Sequence, residues 1–288
     1  MPELPEVETL KRELSKAVVG KTIASVNIDW PKTIYPLKPK TFNELVSGQK
    51  IISIERRAKV LIITLSDQNH LIVHLKMTGQ LIFKPKSGRL VAGGHPQPGG
   101  LDNLPNKFTR VSLNFTDGSN LYFNDMRKFG WLKHIKNHEQ ENIFLKIGIE
   151  PLSKQFTYET FISLLARYPK RNLKQFLLDQ TLIAGLGNIY VDESCFMSKV
   201  RPTRLVETLT KKEVTDLRQN IIAVLKLSIS KKGTSAKNYV RSDGSQGGFV
   251  PYLFVYGRAK LPCKVCRTPI TKIKFAGRGT HFCPNCQK

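Results

Sequence analysis

The chain has 288 residues, of which 40% are hydrophobic and 24% are charged, as in folded proteins with room for two domains. Lysine and arginine number 46 against 22 acidic residues, so the formal net charge is +24. This excess favours a polyanionic partner such as a nucleic acid, although a basic protein with no such partner stays open. Apolar runs are too short to span a membrane and no signal peptide is evident, which predicts a cytoplasmic protein.

A helix is predicted directly after the N-terminus. Pro5 suits its first turn and Gly20 its C-terminal cap. Its apolar stripe has spacings of three and four residues and comprises Leu4, Val7, Leu10, Leu14 and Val18. Pro2 and Glu3 would project from its front. If Met1 is removed, Pro2 presents a secondary amine beside a carboxylate, which can attack an electrophilic carbon and form an iminium.

Residues 22 to 134 are predicted to form antiparallel strands packed as a sandwich or flattened barrel. The strand-like stretches are Thr22–Ile28, Lys50–Leu65, His70–Phe83, Arg110–Phe115 and Leu121–His134, with a short possible helix at Phe42–Val46. Residues Pro85 to Asn106 are rich in glycine and proline and predict a long exposed loop.

After about residue 137 the pattern becomes helical. The predicted helices are Tyr158–Tyr168, Asn172–Leu178, Asn188–Ser198 and Lys211–Ser230. The last helix opens with a capping box from Thr210 to Glu213, and Gly233 would end it. The segment from Gly233 to Phe249 is rich in glycine, serine, lysine and asparagine, which is typical of a flexible loop.

Four of the five cysteines form two Cys-x-x-Cys pairs near the C-terminus. This spacing predicts one tetrahedral structural Zn²⁺ held by Cys263, Cys266, Cys283 and Cys286. Reduced thiols without a metal are the alternative. The fifth cysteine, Cys195, lies among apolar residues and is predicted to be core. Basic residues between the two pairs, including Lys272, Lys274 and Arg278, would suit a phosphate backbone at a hairpin tip.

Three weaker motifs each have an ordinary structural explanation as well. Gly185-Leu-Gly187-Asn188 could present N–H groups to a phosphate, with Asn188 as N-cap, or simply join two helices. The basic run from Arg56 to Lys59 is either a solvated strand edge or a phosphate clamp. Met77 and Phe129 are either groove probes or core residues.

Taken together, these motifs resemble the bacterial formamidopyrimidine-DNA glycosylase family, in order from residue 2 to residue 287. They are Pro2-Glu-Leu-Pro-Glu-Val-Glu-Thr, Arg56-Arg-Ala-Lys, Met77-Thr-Gly, Arg127-Lys-Phe-Gly, Gly185-Leu-Gly-Asn-Ile-Tyr and Arg278-Gly-Thr-His-Phe-Cys-Pro-Asn-Cys-Gln. The resemblance implies a two-domain α+β fold with an N-terminal β-sandwich and flanking helices, then a helix–two-turn–helix bundle and a β-hairpin zinc finger. The expected ranges are 2–136 for the catalytic domain, 137–155 for a linker, 156–248 for the helical domain with a base-capping loop at 233–249, and 250–288 for the zinc finger.

The implied activity is that of a bifunctional DNA glycosylase and abasic-site lyase in base excision repair. Its substrate would be duplex DNA with 8-oxoguanine or a formamidopyrimidine, flipped out of the stack by a monomeric enzyme in the bacterial nucleoid. Pro2 would attack C1′ of the flipped nucleotide, Glu3 would stabilise or protonate the opening sugar, and Glu6 would support the site. Elimination of both flanking phosphates would then cut the strand.

The resemblance also implies DNA contacts. Lys59, Asn188 and Arg278 would hold phosphates beside the lesion, and Lys174, Tyr190 and His74 would add further DNA contacts. Three side chains would form a wedge that fills the space left by the flipped base, namely Met77, Arg127 and Phe129.

The chain departs from the family pattern in three places, one of which is the glycine- and proline-rich insert before Lys107. Ala236-Lys237-Asn238 stands where many relatives have a Leu-Arg-Asp-like triplet in the capping loop, and Lys107-Phe-Thr-Arg110 stands where many have a His-rich strand entry. The change in the triplet bears on base preference. Two alternatives stay open, namely an endonuclease VIII-like enzyme for oxidised pyrimidines, against which the loop at 233–249 and Leu4 argue, and a non-catalytic zinc-dependent DNA-binding protein, against which Pro2, Glu3 and Lys59 argue.

Overall fold

A computed structural model describes residues 1–98, 101, 103–234 and 248–288 of the chain. The chain divides into two compact units. The first comprises Met1–Leu145 with Lys232–Gly248, and the second comprises Lys146–Lys231 with Phe249–Lys288. The boundary between the units therefore lies at residue 145, inside the expected linker 137–155. The expected capping loop begins at residue 233, in the part of the chain that belongs to the first unit.

Two antiparallel sheets form the first unit. One sheet has the strand order β1-β7-β8-β5-β6 and the other has the order β2-β3-β4-β9. The strands are β1 (Ile23–Ile28), β2 (Ile51–Arg57), β3 (Val60–Leu65), β4 (His70–His74), β5 (Gly79–Lys84), β6 (Val91–Gly94), β7 (Thr109–Phe115), β8 (Asn120–Asp125) and β9 (Trp131–Ile135). The helices of this unit are α1 (Leu4–Val18), α2 (Pro39–Val46) and α3 (Gln140–Phe144).

One core joins the two sheets and α1. Leu10 and Leu14 on the apolar stripe of α1, Ile63 of β3 and Phe123 of β8 belong to the same buried cluster. Burial of these side chains removes apolar surface from water, which is the main force that holds the layers together. The predicted antiparallel sandwich with a flanking helix is confirmed.

The strands differ from the prediction in four places, of which two are simple divisions: His70–Phe83 divides into β4 and β5, and Leu121–His134 divides into β8 and β9. The stretch from Lys50 to Leu65 is a hairpin, because Ala58 adopts a left-handed φ of 54° and reverses the chain between β2 and β3. The stretch from Pro85 to Asn106 was wrongly predicted as a loop throughout, since it contains β6. This strand pairs with β5, and Ala92 is fully buried.

The second unit is helical and ends in a hairpin. Its helices are α4 (Tyr158–Ala166), α5 (Leu173–Leu178), α6 (Asn188–Met197) and α7 (Lys211–Ser230), and its strands are β10 (Thr271–Phe275) and β11 (Arg278–Phe282). The predicted capping box at the start of α7 is present, with Thr210 accepting from the amide of Glu213. Two turns between α5 and α6 give the helix–two-turn–helix arrangement, and β11 packs against α6. None of the helices described is both long and apolar enough to cross a membrane.

Candidate active site

The first residues of the chain are fixed by reciprocal hydrogen bonds at the start of α1. Glu3 is the N-cap, and its side chain accepts from the amide of Glu6. In return, Oε2 of Glu6 accepts from the amide of Glu3 at 3.0 Å. Both carboxylates are buried, with 4% and 2% of their surface exposed. This capping box, together with the core under α1, holds Pro2 and the Glu3 carboxylate in one place.

The other oxygen of Glu6 holds the residues that follow α7. Oε1 accepts from the amide and the hydroxyl of Thr234, at 2.8 and 2.9 Å. Gly233 passes so close that a Cβ there would lie 3.1 Å from this oxygen, and its φ of +83° also favours glycine. Glu6 therefore ties α1 to the first residues of the expected capping loop, which supports its predicted role in supporting the site. The departure at Ala236-Lys237-Asn238 lies outside the described residues.

The basic run of the β2–β3 hairpin is not a solvated edge. Nε of Arg56 lies 3.1 Å from Oε2 of Glu8, on α1, and Arg56 also donates to the Ala58 carbonyl at 2.9 Å. Burial raises the pKa of Glu8, but hydrogen bonds from Arg12 and Arg56 outweigh it and leave that pKa below its usual value. The hairpin that carries Lys59, itself 95% buried, is thus held against α1.

His74 lies beside this hairpin, because Val60 pairs with His74 across β3 and β4. Burial, aided by the charges of Lys76 and Lys59, lowers the pKa of His74 to about 3. The imidazole is therefore neutral at neutral pH. Its Nδ1 accepts from the amide of Lys76 at 2.9 Å, which leaves the proton on Nε2. His74 can donate a hydrogen bond to a phosphate but adds no positive charge to the site.

Met77 and Phe129 are more exposed than methionine and phenylalanine usually are in folded proteins. Met77 is 38% exposed and Phe129 is 53% exposed. The guanidinium of Arg127 lies 4.6 Å from the centre of the Phe129 ring. A core role is excluded for both residues. The turn at residues 75–78 exposes Met77, and the loop at residues 126–130 exposes Phe129 beside Arg127.

Two buried residues that the sequence analysis missed join these loops. The Thr78 hydroxyl donates to Oδ1 of Asp125, and the amide of Arg127 lies within hydrogen-bond distance of both, 3.0 Å from the hydroxyl and 3.2 Å from Oδ1. Oδ2 of Asp125 accepts from the amide of Gly130 at 2.6 Å. Thr78 follows Met77 directly, and Asp125 lies two residues before Arg127. Their positions beside these two motifs are the only sequence feature that could have identified them.

In the second unit, two predicted DNA contacts are corrected by burial. Lys174 is wholly buried, with Nζ 2.6 Å from Oδ1 of Asp192, so it cannot reach a phosphate. Asp192 also accepts from the amide of His281, at 2.9 Å, and thus links α5, α6 and β11. Tyr190 is wholly buried as well, and its hydroxyl lies 2.6 Å from that of Ser228, so it belongs to the core. Cys195 is wholly buried, as predicted.

Asn188 is not the N-cap of α6, because Gly187 occupies that position and Asn188 begins the helix. Its Nδ2 donates to the carbonyl of Gly279 at 2.8 Å, next to Arg278 in β11. Its Oδ1 is buried and has no hydrogen-bond partner among the described residues. The Asn188 side chain therefore fixes the β10–β11 hairpin to the start of α6, and its role as a phosphate contact stays a prediction.

Arg278 lies at the exposed tip of the hairpin. It pairs with Phe275 across a two-residue turn in which Ala276 and Gly277 both have positive φ, at 49° and 71°. Positive φ at both central positions matches the twist of a tight hairpin. The exposed Lys272 and Lys274 alternate along β10 and place further positive charge on this tip. The hairpin can therefore present Arg278 to a polyanion.

The four predicted zinc ligands converge in the second unit. The Sγ atoms of Cys263, Cys266, Cys283 and Cys286 all lie within 4.8 Å of one another. Four thiolates at Zn–S distances of about 2.3 Å would be about 3.8 Å apart. The distances between Cys263 and Cys286, at 3.9 Å, and between Cys266 and Cys283, at 3.4 Å, fit that geometry. The residues fit one structural zinc ion.

Comparison with known proteins gives three family matches along the chain. Residues 1–132 match the formamidopyrimidine-DNA glycosylase N-terminal domain, residues 147–239 match the H2TH domain of the same enzymes, and residues 260–288 match a zinc finger found in FPG and IleRS. The formamidopyrimidine-DNA glycosylase of Geobacillus kaustophilus is 41% identical over the full length of both chains.

Solved structures give the same result. The Lactococcus lactis Fpg in complex with DNA containing an abasic site has a TM-score of 0.87 and 36% identity, over 99% of each chain. MutM in complex with DNA containing carbocyclic 8-oxo-G has a TM-score of 0.87 and 36% identity, over the full length of both chains.

Proposed function

Because the chain belongs to the formamidopyrimidine-DNA glycosylase family, we propose that Pro2 is its nucleophile and that oxidised purines in duplex DNA are its preferred lesions. The chain is a base-excision-repair enzyme that acts as DNA glycosylase and abasic-site lyase and carries a structural zinc site. The observation that carries the proposal is the buried capping box, which holds Pro2 beside the Glu3 carboxylate at the start of α1. The solved complexes of one Fpg chain with DNA support a monomer, and the bacterial origin of the relatives supports a place of action in the cytoplasm, on the DNA of the nucleoid.

The first chemical step needs a free amine at Pro2, and hence removal of Met1. The Pro2 nitrogen bonds to C1′ of the flipped nucleotide as the bond from C1′ to the base breaks, and the base leaves with the bonding electrons and takes up a proton from water. The Glu3 carboxylate takes the proton that the Pro2 nitrogen loses and delivers it to O4′ as the bond from C1′ to O4′ breaks, which leaves an iminium between Pro2 and C1′.

The iminium then drives strand cleavage. It acidifies the protons on C2′, and loss of one of them expels the phosphate on the 3′ side. A second elimination expels the phosphate on the 5′ side, and water releases Pro2. Each elimination moves one proton to solvent or a base and one electron pair to a leaving phosphate, so no oxidant is required.

The other residues of the first unit support binding of the flipped nucleotide. Lys59, in the turn directly before β3, supplies a cation, and His74, on the adjacent strand β4, supplies a neutral Nε2–H donor, which suits the phosphates beside the lesion. The exposed Met77, Arg127 and Phe129 suit insertion into the base stack, because apolar wedges offset the few kcal/mol lost when a base is unstacked. In the second unit, Asn188 and Arg278 are proposed as further phosphate contacts.

Lesion preference is tested with two duplexes, one with 8-oxoguanine opposite cytosine and one with thymine glycol opposite adenine. We expect kcat/KM to be at least about tenfold higher for the 8-oxoguanine duplex, a difference of about 1.4 kcal/mol in transition-state binding. A preference for thymine glycol would support the endonuclease VIII-like alternative instead. Binding of both duplexes without base release would support the non-catalytic alternative.

Removal of the zinc ligands is expected to weaken DNA binding whether or not the duplex is damaged. The Cys286→Ala variant should bind both duplexes at least about tenfold more weakly, because a small metal unit without its metal does not fold and Arg278 loses its position. Fluorescence anisotropy of labelled duplexes measures this. The matched control is Cys195→Ala, which removes a buried thiol outside the cluster. Loss of catalysis with unchanged binding in Cys286→Ala would contradict the proposed role of the hairpin.

A further inference from the structure

The glycine- and proline-rich stretch holds the turn that carries Met77. The amide of His95, directly after β6, donates to the carbonyl of Gly79 at 3.0 Å. Two residues later, Nε2 of Gln97 donates to the carbonyl of Thr78 at 2.7 Å and to that of His95 at 3.0 Å. Gln97 is only 6% exposed, so these bonds are made out of contact with bulk water. Two successive carbonyls after Met77 are thus held by this one segment.

Backbone packing makes the contact tight. A Cβ on Gly94, the last residue of β6, would lie 2.3 Å from the carbonyl oxygen of Gly79, and Gly94 has a φ of +124°. A Cβ on Gly79 would lie 2.3 Å from the carbonyl oxygen of Leu75. Only glycine fits at either position. Glycine is therefore required at position 94 because the backbone there lies directly against Gly79, next to the Met77 turn.

Thr78 connects that turn to the second wedge loop. Its hydroxyl is bonded to Asp125 and lies 3.0 Å from the amide of Arg127. A shift of Thr78 would therefore move Met77 directly and the Arg127–Phe129 loop through these bonds.

The same segment also contacts the catalytic helix. β6 is the edge strand of its sheet, and α1 packs against it. α1 begins directly after Pro2 and Glu3, so one short segment lies against both the helix that positions the amine and the turn that carries the wedge.

We propose that residues 91–97 form a strut between α1 and the Met77 turn, and that Gln97 is a positioning residue for base eviction through its hydrogen bond to Thr78. The inference rests on the proposed wedge role of Met77, Arg127 and Phe129. Without the Gln97 donor, the buried Thr78 carbonyl loses a hydrogen bond and the turn can change its conformation. The Met77 side chain is then no longer fixed in the position from which it would enter the base stack.

Gln97→Met is the direct test, because methionine keeps the length of the side chain and removes both donors. Gln80→Met is the matched control. Gln80 is a neighbouring buried amide on β5, and neither of its amide atoms has a hydrogen-bond partner among the described residues. Each variant is assayed in single turnover on a duplex with 8-oxoguanine opposite cytosine, and on a single-stranded oligonucleotide with an abasic site. The second substrate has no base to evict and no partner strand, so it reports the Pro2 chemistry alone.

Gln97→Met is expected to slow excision from the duplex about tenfold, while abasic-site cleavage in the single strand is unchanged. Gln80→Met should leave both rates unchanged. Combining Gln97→Met with Met77→Ala should slow duplex excision by less than the product of the two single effects, because Gln97 acts in part through Met77.

Equal losses on both substrates would overturn the proposal in favour of a general loss of stability, and an unchanged duplex rate would overturn it outright. If Met77→Ala slows duplex excision while Gln97→Met does not, the positioning role of residues 91–97 is wrong and the proposed insertion role of Met77 is retained. If Met77→Ala has no effect on duplex excision, the proposed wedge fails and the strut fails with it.

Discussion

Protein that retains a residue before Pro2 is expected to lose excision of 8-oxoguanine by on the order of 10³-fold or more, because an amide nitrogen cannot serve as the nucleophile. The comparison uses one protein with an N-terminal tag, before and after removal of the tag exposes Pro2. Strand cleavage at a preformed abasic site should be lost to the same extent, because both reactions pass through the same amine. Gel analysis of labelled duplexes measures both.

Binding provides the control for this pair. The tagged and untagged proteins should bind undamaged duplex alike, since the capping box at Glu3 and Glu6 and the core of α1 remain in place. A tagged protein that still excises the base at the normal rate would contradict the assignment of Pro2. Such a result would place the covalent chemistry on a lysine.

Glu3→Gln is expected to slow base excision by about 10²–10⁴-fold, the usual contribution of a positioned general acid or base. Glutamine can still accept the hydrogen bond from the amide of Glu6, so the capping box and the fold should be kept. The affinity for a duplex that contains an uncleavable abasic-site analogue should therefore change little. Single-turnover excision and equilibrium binding measure the two effects separately.

Glu8→Gln is the matched control on the same helix. The Glu8 carboxylate is paired with Arg12 and Arg56 and has no place in the proposed chemistry. Its loss should reduce stability modestly and leave excision by folded protein nearly unchanged. Equal losses of excision in Glu3→Gln and Glu8→Gln would contradict a specific proton-transfer role for Glu3.

Elements set by local chemistry could be predicted from the sequence. The helix from Lys211 to Ser230 begins and ends where its capping box and apolar periodicity predicted. The zinc site is another such case, because two Cys-x-x-Cys turns determine most of its geometry. The turn at Ala58 carried no glycine or proline signal, so the break between β2 and β3 could not be read from the sequence.

Features set by tertiary contacts could not be predicted in this way. Lys174 looks like any basic residue in the sequence, and only its burial against Asp192 shows that its charge is used inside the second unit. The sequence did not predict β6, because glycine is rare in strands. Gly94 is needed at the end of this strand because its backbone lies directly against Gly79. In contrast, the exposure of Met77 and Phe129 agrees with the family resemblance and not with the base rate for apolar residues.

The position of the covalent adduct tests the central claim most directly. The untagged protein is mixed with a duplex that contains 8-oxoguanine, the imine is reduced with borohydride, and the cross-linked peptide is identified by mass spectrometry. We predict that the DNA is attached to the nitrogen of Pro2, in a peptide that begins at that residue. Attachment to a lysine such as Lys59, or to a peptide that still begins with Met1, would contradict the account.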